Sequence, residues 1–307
     1  MTDETAGGVP KNEDSMRGFA FALAAYLLWG FLPVYMKALA HISPAEVIAH
    51  RVVWSLPIAG AVLMFLGRTA DVTAALKSPR TLLLATMTAA LITVNWGMYV
   101  WAIGAGRALD TALGYYINPL FSVFLGSLLL KERLSTAQKV AIGLAMVAVA
   151  VLTFEAGGLP WVSLGLTISW GFYAFFKKSL KVGPNEGFLL EVLILAIPAL
   201  VYIVYLQTTG QGHFFTGPQA GSDTALLVGC GLVTAVPLML YANGAKLLRL
   251  STIGIMQYIA PTMIFFFAVF IFGEPFGKAQ MIAFPLIWLA LVVYTTSMVS
   301  QARAKNR

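Results

Sequence analysis

The residues best suited to chemistry lie within one apolar stretch, residues 45–57, with the sequence AEVIAHRVVWSLP. Glu46, His50 and Trp54 recur every four residues, so a helix would present them on one face, with Arg51 beside it. A guanidinium can bind a carboxylate or another oxyanion through its planar set of donors, and an imidazole titrates near neutral pH. His50 and Arg51 are therefore candidate substrate-binding residues, and Glu46 and His50 are candidate proton carriers.

These ionisable groups need a reason to lie in an apolar segment. At a helix centre in a membrane each costs on the order of 2.5–3.5 kcal/mol, so it needs a partner, a water-filled cavity or a function. Arg51 could instead pair with Glu46 or with helix carbonyls and only hold helices together, or extend to the outer surface. Glu191 mirrors Glu46 from the opposite face and is a further candidate proton carrier or gate residue. The sequence leaves these interpretations open.

Two further polar segments each surround a proline, Pro119 in one and Pro261 in the other. Because proline has no N–H, it frees a helix carbonyl one turn earlier for a ligand or a water molecule. Such matched, proline-interrupted segments are the best sequence indication of a central transport site. Their candidate substrate-binding residues are Tyr115, Asn118, Gln257 and Tyr258. The alternative is that these tyrosines and small residues only pack helices together.

Two tryptophans and one asparagine complete the candidate substrate-binding residues. Trp29 and Trp170 lie in a repeated WGF tripeptide, and Trp29 is too deep in its apolar run for an interfacial belt. Indole rings with a single donor suit a flat aromatic or amphipathic substrate. Asn95, next to Trp96, is central in a third apolar run, where it would hydrogen-bond either a neighbouring helix or the substrate.

The composition requires membrane-spanning helices to position these residues. Of the 307 residues, 59% are hydrophobic and 11% charged, and the mean hydropathy is +0.81. A soluble domain is usually about 25% charged, so the chain is expected to be an all-α integral membrane protein. Ten apolar runs are long enough to cross a bilayer as helices. They are 17–40, 44–67, 81–103, 110–130, 135–154, 160–180, 187–207, 224–247, 251–273 and 277–299.

The basic residues predict the orientation. Most of the 20 Lys and Arg residues lie in connections on the side that holds the N-terminus, and only Lys37, Arg107 and Lys278 lie in connections on the other side. The positive-inside rule therefore places both termini in the cytoplasm. Residues 1–16 are predicted to be a disordered cytoplasmic tail, and residues 300–307 a cytoplasmic tail. The connection 208–223 is predicted to be a solvated loop.

The chain contains an internal repeat. The tripeptide WGF occurs at residues 29–31 and again at 170–172, and further matches keep an offset of about 141 residues. Residues 17–154 and 160–299 are therefore predicted to be two halves of five helices each. Because five is odd, the second half enters the membrane in the opposite orientation, as in the inverted repeats of secondary transporters. A duplicated membrane protein with no transport role is the alternative.

His50 and Arg51 break this symmetry, because at the offset that matches Glu46 with Glu191 they correspond to Leu195 and Ala196. A feature needed only to hold the fold should be usable in both halves. The asymmetry therefore favours a role of His50 and Arg51 in substrate recognition.

Several classes of function have no support in the sequence. There is no GxxxxGK[ST] phosphate loop, the three histidines are not spaced as metal ligands, and no Ser/His/Asp constellation is evident. The basic residues are spread over short loops, which does not indicate nucleic-acid binding. Cys230 is the single cysteine and is interpreted as a small core residue. We therefore expect no enzymatic activity, no cofactor and no metal.

At these residues the chain resembles the EamA family of the drug/metabolite transporter superfamily, and more closely its RarD branch. The motifs HRVVWS and GYYINP carry the resemblance to the branch, which extends over residues 17–299. It implies a bacterial inner-membrane transporter with ten helices. The branch is commonly named after a chloramphenicol-sensitivity phenotype, which does not establish a substrate.

The expected function is that of a secondary transporter that exports a small amphipathic metabolite or drug by alternating access. A non-transporting membrane scaffold and a passive facilitator are the alternatives. The expected partners are the substrate and the lipid bilayer, and the sequence is compatible with a homodimer. Glu132 and Glu274 are predicted to cap or pair at the start of the helix that follows each of them.

Overall fold

The computed structural model describes residues 15–131, 134–155, 158–180, 182–245, 247–248 and 250–305, and all regular elements within them are helices. They are α1 (Met16–Ala38), α2 (Pro44–Phe65), α3 (Thr69–Leu76), α4 (Pro79–Gly104), α5 (Ala108–Leu130), α6 (Thr136–Glu155), α7 (Trp161–Ser179), α8 (Pro184–Thr208), α9 (Ala220–Ala245), α10 (Leu250–Met256), α11 (Ile259–Phe266) and α12 (Lys278–Lys305). A π-helical turn, Phe267–Ile271, continues α11. Almost all of the predicted N-terminal tail, and Glu132, lie outside the described residues.

Serine–proline pairs set the start of two long helices. The Ser43 hydroxyl accepts a hydrogen bond from the Glu46 N–H at 3.2 Å, and Pro44 occupies the first position of α2. Ser78 caps α4 in the same way, ahead of Pro79. The hydroxyl satisfies an N–H that has no partner within the helix, and proline needs no partner there.

Eight of the described helices are long and apolar enough to cross a membrane. Large apolar side chains are exposed along them, for example Ile197, which is 72% exposed. Such a surface suits lipid contact, and the chain is a multi-pass membrane protein, as its composition predicts. The two predicted spans that do not meet this standard are α7 and the α10–α11 segment.

The α10–α11 segment is interrupted, whereas α5 is not. The chain turns at Gln257 and Tyr258, resumes as α11, and ends at Gly273 with a φ of 65° that favours glycine. The expectation of matching interruptions is therefore wrong for the first half, because α5 continues as helix through Pro119. Helix α5 packs against α7, α11 and α6, which support it as a continuous helix. The main neighbours of α10 are α1 and α12.

The two halves of the chain are interleaved. Helix α1 packs against α9, and the equivalent pair, α7 and α4, packs in the same way. Helix α5 packs against α7, and the equivalent pair, α11 and α1, packs in the same way. The equivalent helices α2 and α8 pack on each other, and so do α6 and α12. Most helices therefore bury their surface against the opposite half.

Polar contacts join the helices at two opposite ends of the bundle. At one end, which we call the Glu274 end, the contacts are Glu46 with His213, His41 with Asp223, and Glu274 with the start of α5. At the other, the Leu247 end, they are the Ser15 N–H with the Leu247 carbonyl, Arg68 with Glu186, and Lys177 with Glu191.

Glu274 caps α5 rather than the helix that follows it, so this prediction is corrected. Its carboxylate accepts hydrogen bonds from the N–H groups of Ala108 at 2.6 Å and Leu109 at 2.8 Å. Burial raises the pKa of the Glu274 carboxyl group, and the two N–H donors oppose that rise. A carboxylate is favoured at this position because a helix N-terminus carries partial positive charge.

Replacement Glu274→Ala should lower the melting temperature of the purified protein in detergent. It leaves two N–H groups at the start of α5 without a partner, which costs about 1–3 kcal/mol. The matched control is Glu155→Ala, because Glu155 is exposed at the end of α6. Equal melting temperatures for the two variants would show that the cap contributes nothing to stability.

Candidate substrate-binding cavity

A cavity lies between the two halves of the chain. Its walls come from α1, α2, α4, α5, α7, α9, α11 and the turn before α11. Its empty space is about 940 Å³, counted together with its open mouth. Its aromatic lining consists of Tyr26, Trp29, Trp96, Tyr99, Tyr115, Trp170 and Tyr241, and its polar lining of Arg51, Asn95, Asn118, Thr234 and Gln257.

Arg51 is the one charged residue among the described residues of this lining. It is 3% exposed, its Nε–H donates to the Thr234 hydroxyl at 3.0 Å, and its guanidinium lies 4.5 Å from the centre of the Trp96 ring. Its Nη1 atom has no hydrogen-bond partner in the described chain. The alternatives of pairing with Glu46 and of extension to the surface are both wrong, because Arg51 lines the cavity at 3% exposure and the Glu46 carboxylate binds His213.

Glu46 holds the connection between α8 and α9. One carboxylate oxygen accepts from the backbone N–H of His213 at 2.7 Å and the other from its Nδ1–H at 2.9 Å. Glu46 is 1% exposed and does not line the cavity. The predicted solvated loop is therefore only partly solvated: residues 208–211 and 215–219 are exposed, but residues 212–214 are not, and His213 and Phe214 contact α2.

His50 lies behind the cavity wall rather than in it. Its Nδ1 accepts a hydrogen bond from the Trp54 indole N–H at 3.1 Å, and the Phe214 ring lies 4.8 Å from its own. Because an indole N–H can only donate, this Nδ1 carries no proton and the imidazole is neutral. His50 is absent from the cavity lining, so its position gives no support to the predicted contact with substrate.

Asn95 contacts a neighbouring helix and the cavity at the same time. Its Nδ2 donates to the Leu166 carbonyl at 3.1 Å and to the Ser169 hydroxyl at 2.9 Å, both on α7. The carbonyl can only accept, which fixes the orientation of the amide. The Oδ1 atom is buried without a protein partner and belongs to a cavity-lining side chain. The two roles that the sequence left open, a hydrogen bond to a neighbouring helix and one to a substrate, are therefore compatible, because they use different atoms of the amide.

Helices α4 and α5 contribute three more polar side chains to the cavity. The rings of Tyr99 and Tyr115 lie 5.9 Å apart, and the buried Tyr99 hydroxyl has no protein partner. Asn118, one turn after Tyr115, also has an unpartnered Oδ1. These acceptors can receive N–H or O–H groups from a bound molecule.

Aromatic side chains from α1 and α9 form one wall. The rings of Tyr26, Trp29 and Tyr241 lie 5.5–5.8 Å from one another, and Trp170 lines the cavity from α7. Such rings can bind a flat apolar group over a wide area. The two tryptophans of the repeated WGF thus face the same space from opposite halves.

The remaining candidates separate into one cavity residue and two that lie elsewhere. Gln257, in the turn before α11, lines the cavity, whereas its neighbour Tyr258 does not and stacks on Tyr116 at 6.4 Å. Glu191 lies at the Leu247 end, where it accepts hydrogen bonds from Lys177 at 2.6 Å and from the Tyr173 hydroxyl at 3.3 Å.

Comparison with known proteins gives the family. The model of the EamA-like transporter family matches residues 16–154 and again 158–296. This chain belongs to the EamA-like transporter family. An uncharacterized transporter of Vibrio cholerae is 38% identical and covers 97% of this chain and 98% of its own length. The protein RarD of Streptomyces exfoliatus is 39% identical over 95% of this chain and 93% of its own.

Within the EamA-like family the chain falls in the RarD branch, as its motifs indicate, and the Vibrio cholerae relative is named as a transporter. One crystal structure of a protein aligns with 91% of this chain and 96% of its own at 19% identity, with a TM-score of 0.58. This last likeness supports the fold alone. The chain is thus a membrane transporter of this family.

Among the aromatic and polar residues of the cavity in this EamA-like chain, four are not among the residues named from the sequence: Tyr26, Tyr99, Thr234 and Tyr241. Tyr26 lies three residues before Trp29, and Tyr99 four residues after Asn95, so helical periodicity alone would have placed them on the same faces. Thr234 has no such signal, because its role depends on the approach of Arg51 from another helix.

Replacement Gly114→Ala should destabilise the protein and disturb the cavity. A methyl group on Gly114 would lie 2.8 Å from the Ser163 backbone oxygen, at the crossing of α5 and α7 next to Tyr115. The matched control is Gly143→Ala in α6, where nothing lies within 4 Å and a helical alanine is favoured by about 1 kcal/mol. The expected result is a lower melting temperature only for the Gly114 variant, measured in detergent; equal values would contradict close packing at this crossing.

Proposed function

We propose that this chain is a secondary transporter that moves a small amphipathic molecule through the central cavity by alternating access. The observation that carries the proposal is the position of the cavity, at the interface of two interleaved halves, with buried polar groups and aromatic rings facing it. Transporters built from inverted repeats bind their substrate at this place, near the middle of the membrane. Export of a metabolite or drug is the direction that we propose.

The proposed topology has ten spans in two inverted repeats, residues 17–154 and 160–299. Two contacts support counting α7 as a span. Trp161 at its start lies under the Arg107 guanidinium, beside the α5 start that Glu274 caps, and Lys177 near its end binds Glu191 at the Leu247 end. The α10–α11 segment likewise leads from the Leu247 end to Glu274. By the positive-inside rule, both termini lie on the cytoplasmic side of a bacterial inner membrane.

Glu46 and Glu191 are proposed to close the two ends of the transport path. Glu46 binds the loop residue His213 at the Glu274 end, and Glu191 binds Lys177 and Tyr173 at the Leu247 end. Glu46 lies on α2 and Glu191 on the equivalent helix α8, at opposite ends of the bundle, so one contact can open while the other stays closed. Such a pair of interchangeable closed ends is what alternating access requires.

Proton coupling is proposed to act through these acids rather than inside the cavity. Neither Glu46 nor Glu191 lines the cavity, and His50, the third candidate proton carrier, lies between Trp54 and Phe214 near the Glu274 end. Protonation of Glu46 would remove the charge that holds His213. Concentrative flux that persists after the pH gradient is collapsed would contradict this coupling, and flux that only equilibrates the solute would identify a facilitator.

Alternating access predicts that one cavity position is reached from both sides of the membrane. In a Cys230→Ala background, Gln257→Cys should react with a membrane-impermeant maleimide added to right-side-out vesicles and also to inside-out vesicles. Cys230 is the single native cysteine and is buried, which makes this background simple to build. The matched control is Ala141→Cys, because Ala141 is fully buried on α6 and should stay unlabelled.

Labelling of the Gln257→Cys variant from one side only, or from neither, would favour a non-transporting scaffold. The solute itself can be sought by comparing the metabolites exported by cells with and without the gene. Its flux is then measured in proteoliposomes with the wild-type chain and with Trp29→Ala. Failure of the wild-type protein to move any small solute would overturn the proposed function.

A further inference from the structure

The charge of the cavity is not balanced by the protein. Arg51 carries a guanidinium, which stays protonated in proteins, and among the residues that the structure describes it is the only charged side chain in the lining. We infer that the cavity binds a net-anionic aromatic molecule, whose carboxylate or equivalent oxyanion pairs with the Arg51 guanidinium. The claim that this molecule is transported rests on the proposed function, whereas the claim that it binds in the cavity does not.

The buried carboxylates of the described chain are all engaged elsewhere. At the Glu274 end, Glu46 binds His213, Asp223 binds His41, and Glu274 binds the start of α5; at the Leu247 end, Glu186 binds Arg68 and Glu191 binds Lys177. None of these five acids lines the cavity. A buried guanidinium without an anionic partner is costly, so a ligand that supplies the anion gains that stabilisation.

The guanidinium is held in a fixed orientation. Thr234 accepts its Nε–H at 3.0 Å, and the Trp96 ring lies 4.5 Å from its central carbon. These contacts leave the Nη1 group, which has no protein partner, to meet a ligand. A planar donor set prepared in this way matches the two oxygens of a carboxylate.

The other polar groups of the cavity restrict the ligand further. The Oδ1 atoms of Asn95 and Asn118 and the Tyr99 hydroxyl are buried without protein partners, and they can accept hydrogen bonds from N–H or O–H groups of the ligand. These are neutral groups, so they offer no carboxylate to a ligand ammonium. A molecule with an anionic group and neutral hydrogen-bond donors therefore fits better than a cation.

The aromatic lining and the asymmetry of the repeat complete the description. Rings of Tyr26, Trp29 and Tyr241 form one wall, which suits a planar ring in the ligand. Arg51 has an acid, not a cation, as its counterpart: counted from the helix starts Pro44 and Pro184, the same position of α8 is Glu191, which binds Lys177 outside the cavity. The cavity thus offers one cation, and the ligand needs one anionic group.

Three probes of nearly equal size test the charge preference: 3-phenylpropanoate, 3-phenylpropanamide and protonated 3-phenylpropan-1-amine. Their binding to the purified full chain in detergent is measured by isothermal titration calorimetry. We expect the acid to bind at least about tenfold more tightly than the amide, because a charge-assisted hydrogen bond replaces a neutral one. The amine should bind most weakly.

Arginine variants then assign the preference to one residue. Arg51→Gln should remove the preference for the acid and leave the affinity for the amide nearly unchanged, while Arg51→Lys keeps part of the preference. The matched control is Arg17→Gln, because Arg17 is exposed at the start of α1 and should not affect binding. If Arg51→Gln does not fold, Thr234→Val provides the test, because it removes the acceptor of the Nε–H and should weaken binding of the acid alone.

The outcomes separate this inference from the proposed function. Binding of none of the three probes, equal binding of acid and amide, or an unchanged preference in Arg51→Gln would overturn the inference. Acid binding without flux in proteoliposomes would contradict transport and leave the anion site in place. Flux of a neutral or cationic solute without acid binding would support transport and overturn the anion site.

Discussion

A bilayer offers no water to buried polar groups, and most of the structure follows from this constraint. Each such group must find a partner in the protein or face a cavity. Glu46, Glu191 and Glu274 find partners at the ends of the helices. Arg51 is held on one side by Thr234 and keeps an unpartnered donor towards the cavity. The contrast separates groups that stabilise the bundle from one that is available to a ligand.

The interleaving of the halves makes the cavity a property of the whole chain. Neither half encloses it alone, because α1 and α2 of the first half meet α9 of the second, and α4 and α5 meet α7. Glycines at these crossings allow the two backbones to approach each other closely. A methyl group on Gly231 would overlap the backbone of Trp54, and one on Gly114 would meet that of Ser163. Small residues at helix crossings are the usual means of tight packing in membranes.

The two halves share a plan but differ where function is proposed. Counted from the helix starts, the counterpart of Arg51 is Glu191, which binds Lys177, rather than Ala196 as the sequence predicted. The continuous helix around Pro119 has a broken helix as its counterpart, and Gln257 lines the cavity at the break. A fully symmetric pair would build two equal half-sites. The observed differences instead give the cavity a single cation and a distinct polar group near the turn, so a bound molecule has a defined orientation.

The sequence by itself determined the helices, the membrane environment and the faces of most cavity residues. Apolar runs of sufficient length and helical periodicity are local properties, and they suffice to identify Trp29, Arg51 and Asn95 as candidate site residues. Only the tertiary structure decided the partners: that Glu46 binds a loop, that Glu274 caps α5, and that His50 lies behind the wall. Periodicity tells which face of a helix carries a side chain but not which helix or loop meets that face, because that choice depends on the packing of distant segments.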